Sequence, residues 1–265
     1  ILGDKGMGYY GVAFQIYAIA LTLTSYSLPL AVSKLVSARL ATGQYKNAYR
    51  VFRGAMTFAI AAGGIVGAII FFGADFIASN LMAMKMSTLA LRVLAPCILI
   101  VAILGVFRGF FQGMGTMIPS AVSQIIEQIV NAVVSVGAAY VLFAYGKRIA
   151  TVLGSKEHYD AAYGAAGGTL GTSAGAFFGL VFILFVFSMF MPKYKKAMKR
   201  ERKIGHKEPE SYRNIFRILI GTIVPVLLST TIYNLVSIVD QWLFKNIATM
   251  QGYSATNVSE WWGIF

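Results

Sequence analysis

Six long apolar stretches dominate the amino-acid sequence, near residues 12–40, 54–73, 89–111, 118–145, 168–191 and 215–244. Each reaches the roughly 20 residues that a helix needs to cross the hydrocarbon of a bilayer. Strands of a membrane barrel would be about 10 residues of strict alternation, a pattern the stretches do not follow. Only 12% of the 265 residues are charged and 57% are hydrophobic, whereas water-solvated domains carry about a quarter charged residues. The expectation is an all-α chain, a polytopic transmembrane helix bundle of six spans.

The formal net charge of +13 raises the question of a nucleic-acid partner. Its placement answers otherwise. Residues 39–53 hold four Lys/Arg and no acid, and "PKYKKAMKRERKIGHKEPESYRNIFR" holds ten against three. The remaining connections are nearly neutral, so basic and neutral loops alternate as the positive-inside rule requires. The basic loops are assigned to the cytoplasm, both ends of the chain to the opposite side, and no nucleic-acid partner is expected. Cytoplasmic attraction to anionic membrane lipid accounts for the basic run.

Motifs for chemistry do not survive their context. "GMGYYG" satisfies GxGxxG in letters, but the dinucleotide fingerprint needs a preceding strand. It reads better as an interfacial turn with two tyrosines. His158 and His206 fall in different loops, on opposite sides of the membrane by the charge rule. Cys97 is the one cysteine, which leaves neither a disulfide nor a CxxC site. The triplet at Asn257 fits a glycosylation sequon, as many triplets do by chance. No enzyme, no metal site and no cofactor is expected. The first residue is Ile1, and the chain is expected to be a segment of something longer.

Within "SQIIEQIVNAVVSV" the carboxylate of Glu127 stands among apolar neighbours. At about 1.5 Å per residue it lies some 13 Å into a hydrocarbon core about 30 Å thick. An acid there costs about 2.5–3.5 kcal/mol unless it faces protein or water. Ser120, Gln124, Glu127, Gln128, Asn131 and Ser135 recur at spacings of three and four and so share one helix face. The opposite face is aliphatic. Thr230, Tyr233, Asn234, Ser237 and Gln241, with Asp240 at the edge, form a second stripe. Gln15, Thr22, Ser25, Tyr26, Pro29 and Ser33 form a third. Such stripes serve interhelical hydrogen bonding or line a shared hydrated cavity. Three of them, one with a midplane acid, favour the cavity.

Gly167, Gly171, Gly175 and Gly179 recur every fourth residue, a smooth ridge for close approach of another helix. Pro29, Pro96 and Pro225 each sit inside a span and are expected to kink it. "GYYGVAF" near the start is echoed by "EWWGIF" at the end, as repeated transporter bundles would produce.

The phrases "LPLAVSKLVSARLATGQYKNAYRVFRGAM" and "FRGFFQGMGTMIPSAVSQIIEQIVN" resemble the polysaccharide-exporter branch of the multidrug/oligosaccharidyl-lipid/polysaccharide flippases. The similarity is to the stage V sporulation protein B-like group, related to the MurJ-type lipid II flippases. "NLVSIVDQWL" resembles the seventh helix of that group. The resemblance implies about fourteen helices in two bundles, of which this chain would supply helices two to seven. Residues 1–192 would then be the first bundle without its first helix, 193–213 a basic cytoplasmic loop, and 214–265 the opening of the second bundle.

The implied activity is export of an undecaprenyl-pyrophosphate-linked oligosaccharide or peptidoglycan precursor across the bacterial cytoplasmic membrane by alternating access. The implied partners are that lipid-linked glycan, membrane lipid, and H+ or Na+ as a coupling ion; the oligomeric state is left open. Cation candidates for the pyrophosphate are Lys34, Arg92 and Arg108. Lys34 is equally readable as snorkelling to the lipid surface, Arg92 would meet substrate late, and Arg108, spaced to pair with Gln112, reads as an anchor near the inner surface. The MurJ-type pattern of essential first-helix arginines has no counterpart in "LTLTSY". Glu127 is either a cavity residue for a cation, proton or sugar, or a neutral bridge to Gln124 or Gln128. A cation-coupled drug antiporter of the same superfamily is the alternative function, and an inert membrane scaffold the third.

Overall fold

The structure is a computed structural model that describes residues 3–82, 85–153, 159–203 and 209–252. Its helices are α1 (Gly3–Thr24), α2 (Leu28–Ala41), α3 (Tyr45–Phe76), α4 (Thr88–Gly113), α5 (Ile118–Leu153), α6 (Tyr159–Lys203) and α7 (Tyr212–Met250), with a π turn Ile77–Leu81 and a 3-10 turn Lys85–Ser87 between α3 and α4. They supply six candidate spans, α1 and α2 together making the first. The chain is a multi-pass membrane protein.

The first span is a correction to the expected continuous helix. It breaks at residues 25–27, and Pro29 lies in the first turn of α2 instead of kinking a helix from within. Proline is tolerated there because its missing N–H would have no intrahelical partner. Local bonds satisfy the break: Ser25 N–H and Tyr26 N–H both donate to Leu21 O, and Leu28 N–H donates to Ser25 O. A backbone interruption at membrane depth needs such satisfaction, since lipid offers none. Pro96 and Pro225 do lie inside α4 and α7.

Two compact units divide the chain, Ile1–Ile223 and Val224–Phe265. In the first, α4 is the hub and packs against α1, α2, α3 and α6. Leu91, Leu94, Ile98, Leu104, Phe110 and Phe111 of α4 are fully buried. Phe52 of α3, Phe107 and Phe110 of α4 and Phe187 of α6 interlock near the basic end, with the Phe52 and Phe110 rings 4.8 Å apart. In the second unit, α7 continues with Leu228, Ile232, Val236, Leu243 and Ile247 exposed.

Glycine sets the helix spacing. A Cβ on Gly167 would sit 2.5 Å from Ala138 O and one on Gly175 2.5 Å from Glu127 O; one on Gly171 would collide with Ser135 Oγ. The ridge read from sequence therefore packs against α5, backbone to backbone. A second row, Gly105, Gly109 and Gly113 of α4, takes α2 in the same way: a Cβ on Gly109 would stand 2.6 Å from Pro29 O, and one on Gly113 2.8 Å from Ser33 O. Only glycine permits these approaches, and dispersion across them holds helices together where lipid supplies no hydrophobic drive.

The basic run also differs from a loop. α6 stays helical through Lys203, about 68 Å of helix, so its Lys/Arg side chains extend from a rod beyond the span. Its end is tied back: Tyr194 donates its hydroxyl to Tyr45 O at 2.9 Å, and Glu201 accepts Lys46 N–H at 2.8 Å. Arg39 pairs with Glu210 at 2.7 Å.

Gly109→Ala is expected to destabilise the bundle by about 1–3 kcal/mol, the usual range for overpacking. Gly8→Ala, inside α1 where a Cβ meets nothing within 4 Å, should keep stability or raise it by up to about 1 kcal/mol. Melting curves of both variants in detergent, followed by size-exclusion chromatography, check the contrast.

Candidate functional site

Residues at helical spacings on α1, α4 and α5 line one cavity of about 480 Å³ in the first unit. α1 contributes Tyr10, Phe14, Tyr17 and Leu21, and the broken turn adds Ser25, Tyr26 and Pro29. From α4 come Val101, Gly105, Arg108 and Gln112; α5 gives Gln124, Glu127, Gln128 and Asn131, and α6 gives Thr172. The cavity exists because α5 packs chiefly along α6. Its far face carries Ile125, Ile129, Val133 and Val136, all exposed, which suits lipid. One helix thus shows aliphatic side chains outward and amides to the chamber.

At the polar wall, Arg108 Nη2 donates to Glu127 Oε2 at 2.7 Å and Arg108 Nε donates to Ser123 Oγ at 2.9 Å. Ser123 Oγ donates to Ser120 O, and Ser120 Oγ donates to Arg108 O. The pair is mostly shielded, with side-chain exposures of 12% and 21%. Two charges about 4 Å apart attract by about 4 kcal/mol at an effective dielectric of 20. Each ion alone costs about 2.5–3.5 kcal/mol at midplane, so the pairing offsets a large part of the combined cost of about 5–7 kcal/mol. The guanidinium explains why Glu127 is tolerated, and both ions border open space.

Gln124, Glu127, Gln128 and Asn131 come together on the chamber wall with Ser25 and Tyr26. Glu127 bonds Arg108, and among the described residues no bond joins it to Gln124 or Gln128. Ser25 is buried, its Oγ 3.0 Å from Thr24 Oγ1. Ser135 is outside the lining and lies 2.9 Å from Gly168 O across the α5–α6 contact. Ser33 is not brought to the chamber; its carbonyl backs on Gly113. Lys34 is exposed away from it. Arg92 pairs with Asp75 of α3 at 2.7 Å, with both side chains open, and also stands apart from the chamber. The side chains of Asn234, Ser237 and Asp240 lie outside the described residues.

Arg108 is the correction. Sequence spacing pointed it at Gln112 as a surface anchor, and the structure turns it into the chamber. A signal was present: α4 and α5 are joined by a four-residue turn, residues 114–117, centred near Gly115, whose φ is +81°. Counting equal steps out of that turn sets Arg108 level with Ser123, and an arginine side chain reaches one turn further, to Glu127.

Residues 1–200 match the family described as "Polysaccharide biosynthesis protein". The chain belongs to that family. It is 28% identical over 258 residues to stage V sporulation protein B of Bacillus subtilis (strain 168), covering 97% of this chain and 45% of that protein. It is 27% identical over 150 residues to the lipid II flippase MurJ of the same organism, covering 54% of the chain and 28% of MurJ. Against the membrane protein YabM, also from Bacillus subtilis, it is 28% identical over 185 residues, 70% of the chain and 32% of YabM. The chain therefore spans less than half the length of each of these relatives. No solved structure matches it.

Arg108→Gln and Glu127→Gln, alone and combined, form a double-mutant cycle. A coupling of about 0.5–3 kcal/mol is expected for two residues in one ion-pair network, read from thermal unfolding in detergent. Additive losses would mean that the two charges do not sense each other.

Proposed function

We propose that the complete protein is a transporter, not an enzyme, that moves an undecaprenyl-pyrophosphate-linked oligosaccharide or peptidoglycan precursor from the cytoplasmic to the outer leaflet of the bacterial cytoplasmic membrane. One observation carries the reading: an arginine, neutralised by a carboxylate, borders an amide-lined chamber inside a membrane bundle. MurJ, a relative by sequence, is named as a flippase of lipid II.

The chemistry is consistent. A glycan head group needs hydrogen-bonding partners within the bilayer, and Gln124, Gln128 and Asn131 offer both donors and acceptors. Tyr10, Phe14 and Tyr26 offer flat faces to the carbon side of sugar rings, in the usual mixture of apolar walls and few oriented polar groups. Arg108 supplies a planar, permanently charged donor for a phosphate oxygen. Glu127 neutralises Arg108 until substrate takes its place, and H+ or Na+ then occupies the released carboxylate. Ser25 helps to hold the broken turn that presents Tyr26. Alternating access would rock this bundle against a second one.

The test is transfer of labelled lipid-linked precursor across vesicles containing the complete protein. Arg108→Gln should slow transfer about tenfold or more, in line with roughly 1.5–3 kcal/mol for a hydrogen bond to a charged group. Glu127→Gln should alter both transfer and its dependence on the ion gradient. Normal transfer with unchanged ion dependence rejects the role given to Glu127. Efflux of cationic drugs without precursor transfer replaces the whole reading with an antiporter.

A further inference from the structure

The basic end of the first unit carries a second concavity of about 480 Å³, floored by α3 and closed by residues of α6 and the start of α7. Lys46, Tyr49, Arg50 and Arg53 line it from one face of α3, at spacings of three and four. Tyr212 stands opposite, its ring 4.6 Å beneath the Arg50 guanidinium. Of the described cations with carboxylate partners, Arg39, Arg92 and Arg108 account for all three ion pairs. Lys46, Arg50 and Arg53 are not among them. One carboxylate is close: Glu201 accepts the Lys46 backbone N–H. Glu210, the other nearby acid among the described residues, is already held by Arg39. Arg213 and Arg217, one turn apart on α7, line a further hollow beside Tyr212. A surplus of positive charge is thus built into a shaped groove.

Its depth in the membrane identifies the ligand. The apolar stretch of α3 starts near residue 54, and Lys46, Arg50 and Arg53 fall within about 12 Å of helix before it, so the groove lies where hydrocarbon gives way to head groups, and its tyrosines are the residues that favour that level. We propose that this groove binds the phosphate head group of an anionic phospholipid, with Lys46, Arg50 and Arg53 on the phosphate oxygens and Tyr49 and Tyr212 beside the glycerol. The site is separate from the chamber holding Arg108, and its failure would leave the transport reading untouched. A single phosphate over three cations is a charge-assisted cluster, whereas a zwitterionic head group brings its own ammonium and is repelled in part.

The experiment is titration of the complete, detergent-solubilised protein with short-chain phosphatidylglycerol, read by native mass spectrometry. Phosphatidylcholine and inorganic phosphate serve as comparison ligands. Phosphatidylglycerol is expected to bind preferentially. Lys46→Gln/Arg53→Gln, two exposed positions, should weaken it roughly 30-fold, about fivefold for each cation removed. Lys46→Arg/Arg53→Lys keeps both charges and should retain binding. Lys195→Gln/Lys199→Gln removes two exposed charges from α6, outside the groove, and should change it little. Equal weakening by that control pair would make the attraction a delocalised one and overturn the site. So would equal binding of phosphatidylcholine, or full competition by inorganic phosphate, which would assign the groove to a free anion.

Discussion

Backbone-to-backbone contact through glycine is the constraint on which this bundle rests. Hydrocarbon surrounds its outer faces, so helices gain nothing by hiding apolar side chains from water. What remains is contact at the shortest range, and the two glycine rows provide it. One seats α2 on α4; the other seats α5 on α6. Because α5 is committed to α6 along its length, its other side is free to face α1 and α4 across a gap. The polar chamber is a by-product of that commitment. An added methyl group in either row would reach the chamber indirectly, by moving the helix that carries Glu127 or the turn that carries Tyr26.

Charge follows the same economy of position. The three described ion pairs tie helix to helix or helix to connection: α3 to α4 in Asp75–Arg92, α2 to the start of the α7 region in Arg39–Glu210, and α4 to α5 in Arg108–Glu127. The first is open to solvent and worth little by the usual measure of exposed pairs. The third is shielded and lies within a span, so removing one partner strands the other. The described cations Lys46, Arg50 and Arg53, which belong to none of these pairs, gather instead at the start of α3.

Much of this was legible in the residues. Length and apolarity specified the spans, and the alternation of amides with aliphatics on 118–136 told which side of that helix faces the gap. Three features were not. The break after Thr24 has no glycine to announce it, and "SYSLPL" reads as continuous apolar helix unless Pro29 is taken as a helix start. The row Gly105, Gly109 and Gly113 is interrupted by aromatics and an arginine, which disguised its spacing. Arg108 was assigned by neighbours on its own helix, whereas its partner lies across a short hairpin. Periodicity reports which face a residue occupies; only the register between helices reports whom it meets. The continuation of α6 through its lysines and arginines reflects intrinsic preference, since those residues favour helix and water accommodates their charges.

The interrupted first span has a mechanical meaning. α2 is clamped to α4 by the glycine row near the basic end, while α1 rests on α4 and α6 through Ala13, Tyr17, Ala20 and neighbouring side chains. Between the two rods lie the turn 25–27 and its local hydrogen bonds. The joint between the rods also rests on α4, where Ser25 O and Pro29 back on Gly105. Two halves of one membrane crossing thus lean on different neighbours, and the turn where they meet carries Tyr26 to the chamber.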